Sequence, residues 1–247
     1  MRRGRSWRLG VAALATGLGV SAPTRAAELS VGAGSTLELG SGSLDAGCAD
    51  LLVGGTLALD AGSASQVRDL GIQPGGALQG GAGSLEVAGD WTNAGSFSAG
   101  TGTVLLADGC GRTSAALSQS NAFYRLFLSS ATGKLFQFEA GSTQTVARRF
   151  EANGTSTDLL RIRSTAAGLA ANIDLQGGQA TSWLDVGDNH AIGYKQLFGA
   201  GSLDAGNTDG WVFANVPVLP AAGLLLAAGG LAWAARRRLS PQSQGGA

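Results

Sequence analysis

The sequence predicts an all-β protein organised as a right-handed parallel β-helix-like solenoid. Three observations predict it: apolar residues that recur two apart, glycine-rich turns between them, and a loosely repeated unit in the first half of the chain. Alternation with period two marks a strand that buries one face. Pairs of this kind are Leu29/Val31, Leu37/Leu39, Leu57/Leu59, Leu85/Val87 and Leu126/Leu128. They continue with Phe136/Phe138, Leu160/Ile162, Ile173/Leu175 and Leu184/Val186. Gly40-Ser41-Gly42, Gly54-Gly55, Pro74-Gly75-Gly76, Gly80-Gly81 and Gly177-Gly178 punctuate the series. No segment of the body carries the 3.6-residue apolar period of an amphipathic helix.

Two all-β architectures compete for such a pattern. A sandwich needs hairpins and regularly spaced strands that return in Greek keys. A solenoid needs a repeated rung that is too small to fold alone. Ser35-Thr36-Leu37-Glu38-Leu39, Gly55-Thr56-Leu57-Ala58-Leu59, Gly76-Ala77-Leu78-Gln79 and Ser84-Leu85-Glu86-Val87 read as versions of one Gly-x-Leu-x-Leu unit. They recur at roughly 15 to 20 residues, the length of one solenoid turn, and the small turn residues let coils stack closely. Glycine fills 41 of 247 positions without a Gly-X-Y period, and proline only 5, which excludes collagen. Apolar residues at 44% are too many for a disordered linker.

The ends read as targeting segments. Residues 1–27 form a signal peptide, with Arg2, Arg3, Arg5 and Arg8 before the apolar run Leu9 to Val20 and small residues to Ala27. The mature chain is expected to begin near Ala27 or Glu28. Residues 28–215 are the extracellular β-solenoid. Residues 216–238 hold a proline motif (Val216, Pro217, Leu219, Pro220), an apolar stretch to Ala235 and the cluster Arg236, Arg237 and Arg238; residues 239–247 are a short tail. Val218 to Ala235 is about 27 Å of helix, near the short limit for a transmembrane span, with the arginines on the cytoplasmic side. An ordinary single-pass anchor fits the same pattern.

The formal charge of zero is unevenly distributed. Of 17 basic residues eight lie in the targeting segments, and all 17 acidic residues lie in the body, which therefore carries nine basic against 17 acidic groups, or −8. Such a body has no electrostatic footprint for nucleic acid. Cys48 and Cys110 reach an oxidising compartment and either pair or remain two loop or buried thiols.

Two resemblances follow from these residues. The stretch from Gly83 to Val104, with Asp90-Trp91-Thr92-Asn93 within it, resembles a repeat module of bacterial surface proteins. So do Phe123 to Leu128, Phe138 to Val146, Leu160 to Ser164, Trp183 to Asp188 and Asp204 to Phe213. That resemblance implies a parallel β-helix-like solenoid in adhesin-like or matrix-associated exoproteins; it does not imply a catalytic site. The order of motif, apolar helix and arginines from Val216 to Arg238 resembles the PEP-CTERM tails recognised by exosortase-type transpeptidases of Gram-negative bacteria. Here Leu-Pro stands where Glu-Pro is commonest, and Leu239 to Ala247 extend past the arginines.

Enzyme chemistry has thin support. Glycoside hydrolysis needs two carboxylates at a set separation, and Asp185/Asp188 and Asp204/Asp209 are the pairs on offer, with His190 as a base. Aspartates in Gly/Asn-rich stretches more often fix turns. Asp204, Asn207 and Asp209 offer oxygen ligands off the EF-hand spacing. Trp91, Trp183 and Trp211 either line a sugar-binding face or fill the solenoid. The expectation is a non-catalytic exported surface or matrix protein with no cofactor. Its partners would be the export machinery, a sorting transpeptidase, the membrane through the C-terminal helix, and exopolysaccharide or other matrix components. The alternatives are a secreted polysaccharide-active β-helix enzyme and a permanently anchored periplasmic scaffold.

Overall fold

A computed structural model describes residues 27–193 and 197–214; the signal-peptide residues before Ala27, the motif Val216, Pro217, Leu219 and Pro220, and Arg236, Arg237 and Arg238 lie outside the described residues. Strands Glu28–Val31, Thr36–Glu38 and Ser43–Asp45 make the first rung. Asp50–Val53, Thr56–Ala58 and Ser63–Val67 make the second. The second lies on the first in parallel register, with Leu29 opposite Leu51, Leu37 opposite Leu57 and Leu44 opposite Ala64. About eight such turns build a parallel β-solenoid with a first face of nine strands, a second of four and a third of eleven. There is no helix among the described residues.

The register explains the period-two pattern. Inward residues of successive rungs fall into columns: Leu51, Leu70, Trp91, Leu117 and Phe138 on the first face, and Ala64, Leu85, Val104, Leu126 and Phe150 on the third. All ten are buried. Fully burying each large aliphatic or aromatic side chain contributes about 1.5–3 kcal/mol, so the columns are the main source of cohesion.

The second face ends at Ser96–Ser98. From there the rungs change shape, and the third-face strands lengthen to Asn121–Ser129 and Thr143–Asn153. An aromatic cluster fills the core where the cross-section changes. Trp91 stands edge-on to Phe97 and Phe123, with ring centroids 4.9 and 5.5 Å away. The parallel stacking nonetheless runs on through Trp211–Ala214.

Among the described residues nothing pairs with the outer edge of the first rung. Its three strands are the edge strands of all three sheets. Leu37 is 38% exposed, whereas Leu57 above it is fully buried. Glu28, Glu38 and Asp45 sit on this rung with no basic residue, a charge pattern that discourages edge-to-edge pairing.

At the corner between second and third faces, Gly42, Gly62, Gly83 and Gly102 occupy equivalent positions. The backbone ladder passes directly over them, with Ser63 N–H donating to Gly42 O at 3.0 Å and Ser84 N–H to Gly62 O at 3.0 Å. A Cβ on Gly83 would sit 2.5 Å from Gly62 O and 2.9 Å from Leu59 Cβ. Gly83→Ala is therefore expected to lower unfolding free energy in urea by about 2–4 kcal/mol. Gly178→Ala, whose Cβ would meet only Arg148 O at 4.0 Å, is expected to stay close to wild type. Equal losses at both positions would refute the stacking argument.

Candidate functional site

The densest chemistry lies at the corner where third-face strands turn into the next rung of the first face. Asp50, Asp69 and Asp90 precede the register-matched Leu51, Leu70 and Trp91, so three carboxylates stack along the axis. Unshielded, that ladder repels itself. Arg68 clamps Asp50 with two bonds, Nε to Oδ1 at 2.8 Å and Nη2 to Oδ2 at 2.5 Å, and lies 3.5 Å from Asp69. Arg112 pairs with Asp69 and stands 3.7 Å from Asp90. The carboxylates also accept backbone N–H groups, Asp69 from Asp90 and Asp90 from Ala116, each at 2.8 Å.

Arg112 belongs to a loop, residues 108–113, that reaches back along the corner. Cys110 in this loop is joined to Cys48, 62 residues earlier, with their Cα atoms 5.3 Å apart. Cys48 N–H bonds Gln66 O on the second rung at 2.8 Å, while the loop departs from the fourth-rung strand Thr103–Ala107. The disulfide thus ties the first rung to the fourth. Behind it, Lys134 is 1% exposed and donates from Nζ to Ala88 O and, at 2.8 Å, to Ala107 O. Burial pulls its pKa below the ordinary lysine value. Nothing in the local sequence marks Lys134 as interior, since a single lysine after Gly133 reads as a solvated turn.

The predicted carboxylates are occupied by structure. Asp185 bonds Arg163 Nη2 at 2.7 Å. Asp204 Oδ1 accepts its own turn, from Gly206 N–H and Thr208 Oγ1–H, both at 2.8 Å. Asp188 and His190 do not meet directly. Asn207 stands between them, its Nδ2 donating to Asp188 Oδ1 and its Oδ1 lying 2.8 Å from His190 Nε2. Asp209 is largely solvated, 4.0 Å from His190. Among the described residues no group of three or more His, Cys, Asp or Glu side chains is arranged to hold a metal ion.

The tryptophans divide. Trp91 and Trp211 are interior, each donating Nε1–H at 3.1 Å to an asparagine, Asn121 and Asn189 respectively. Among the described tryptophans only Trp183 is open, at 40% exposure, its ring packed against Gly201. The three do not form a common face. An open groove of about 390 Å³ instead follows the glycine corner, with the Ser43, Ser63, Ser84 and Thr103 side chains along one wall.

Reducing the disulfide, or replacing Cys110 by Ser, is expected to cost about 2–5 kcal/mol, given the length of the loop it closes; an unchanged urea midpoint would show that the loop is not a structural tie. Asp188 is held below the usual aspartate pKa, chiefly by the Asn207 hydrogen bond and then by Gly168 N–H. Its contribution is present above the unfolded-state pKa and is lost as pH falls through the lower native value. In an NMR titration Asp188 should turn over below ordinary aspartates, and Asn207→Ala should move it up; an unmoved midpoint contradicts the assignment. No protein-family model, curated protein or solved structure matches the chain.

Proposed function

We propose that this is a non-catalytic, exported surface or extracellular-matrix protein whose solenoid presents a long repetitive face to exopolysaccharide or other matrix components. The observation that carries the reading is the Cys48–Cys110 bond across four rungs, a cross-link that persists in oxidising compartments and is rare in the cytosol. The N-terminal signal peptide and the tail from Val216 to Arg238 supply the route. The chain is secreted, held in the inner membrane by the C-terminal helix with Arg236 to Arg238 inside, and cut near Pro217 to Pro220 by a sorting transpeptidase. The coil is right-handed, as nearly all crossovers between parallel strands are. The engagement of Asp185, Asp188 and Asp204 in turns and rung-to-rung bonds favours a structural over a hydrolytic role for these residues.

Intact mass and peptide mapping of the native protein from membrane and culture-fluid fractions test this. The expected released species begins near Ala27 or Glu28 and lacks the segment after about Pro217. A full-length species confined to membranes would replace the sorted protein with an anchored periplasmic scaffold. Polysaccharide turnover abolished by Asp→Asn changes at 185, 188 and 204 would replace it with an enzyme.

A further inference from the structure

Half of the eight described basic side chains in the body are engaged away from the outer third face. Arg68, Arg112 and Arg163 pair with aspartates, and Lys134 is buried against carbonyls. The outer surface of the third face is different. Arg125 and Arg149 lie directly opposite each other on neighbouring strands, about 4.8 Å apart. Like charges in that position are destabilising.

A β-bulge adds a third arginine. Phe123 pairs with Val146 and Arg125 with Arg149, so Tyr124 alone faces both Ala147 and Arg148. Bulges of this kind re-aim side chains. Ala147, Arg148 and Arg149 are consequently all exposed. Arg148 has no carboxylate partner among the described residues, and Arg125 bonds only a carbonyl, Thr101 O, at 2.8 Å. Glu151 pairs with Arg149, so three guanidinium groups against one carboxylate leave +2 on this patch of an otherwise acidic body. Above Arg149 the next rung carries Gly178, which leaves the guanidinium group uncovered.

The register extends this patch along the axis. Ser43, Ser63, Ser84 and Thr103 occupy the row that continues into Arg125 and Arg149. The groove beside the hydroxyls therefore leads to the arginines. Tyr124, whose ring lies 4.8 Å from the Arg125 guanidinium carbon, is beside them, and Phe127 is half-buried on the same strand.

We infer that Arg125, Arg148 and Arg149 bind carboxylate groups of an acidic polysaccharide whose chain runs along the hydroxyl-lined groove. Guanidinium forks match carboxylates in geometry as well as charge, and the hydroxyls suit the sugar rather than the charged part of the chain. The net −8 of the body disfavours a densely charged nucleic acid. The inference rests on the matrix role proposed above and names the chemistry of its ligand.

The test uses the full-length protein with polygalacturonate as probe, and with neutral dextran and a duplex DNA as counter-probes, in affinity electrophoresis. Polygalacturonate should retard the protein, and dextran and DNA should not. Arg148→Glu, and separately Arg125→Gln with Arg148→Gln and Arg149→Gln, should weaken retention more than about tenfold, while Arg161→Gln on the first face stays within about twofold. Arg148 makes no contact the fold needs, so its variant reports binding even where the triple variant unfolds. Absent retardation, retardation that survives Arg148→Glu, an equal loss in Arg161→Gln, or stronger retention by DNA would each overturn the assignment. A protein released to the matrix that ignores polygalacturonate sinks this inference alone. A protein never released sinks the matrix role, whatever the arginines bind.

Discussion

Parallel register between successive rungs is the constraint on which the remaining structure depends. Each strand takes its backbone partners from the rungs before and after, so a residue's neighbours are set by one turn of the coil rather than by its local sequence. Leu51, Leu70 and Trp91 share a column for that reason, and so do Gly42, Gly62 and Gly83. A slip of one residue in any rung would turn its apolar set outward and drive Cβ atoms into the glycine corner. Side-chain burial and backbone hydrogen bonding therefore favour the same alignment.

Stacking has an electrostatic corollary, because it multiplies any charged position along the axis. At one corner the molecule answers with interleaved arginines and backbone donors around Asp50, Asp69 and Asp90. On the outer third face, of the like-charged Arg125 and Arg149 only Arg149 receives a carboxylate, Glu151, while Arg125 has the Thr101 carbonyl. The contrast separates a corner whose carboxylates are bridged by arginines and backbone donors from a surface that leaves cationic capacity facing outward.

Much of the fold was legible because strand alternation is local. Leu57/Leu59, Leu85/Val87 and Phe136/Phe138 announce strands without reference to anything distant, and the glycine clusters mark corners. Features that depend on rung stacking were not legible. Whether Cys48 and Cys110 pair turns on a loop reaching back across rungs. Trp91 reads as a solenoid-filling residue more readily than as a surface platform, but its partner Asn121, 30 residues on, comes only from rung stacking. Lys134 becomes interior only because two carbonyls from earlier rungs converge on it. The bulge at Arg148 is invisible in one strand alone, being a mismatch in count between two. The turn expected around Asp204 is present, closed by Gly206 N–H and Thr208 Oγ1–H, whereas Asp185 lies in the strand Leu184–Val186 and bonds Arg163 of the preceding rung, and Asp188 is held by Asn207 of the next.

The Cys48–Cys110 cross-link also has a mechanical meaning. A solenoid pulled by its ends peels rung by rung, because each coil is held chiefly by its two neighbours. The covalent tie encloses 62 residues of sequence, which removes about 200 Å from the length the chain can pay out under tension. Extension of the described coil is then confined largely to the rungs after Cys110. Under load the stretch that holds the carboxylate ladder and most of the hydroxyl groove would keep its shape, while the later rungs would be the compliant part of the described coil.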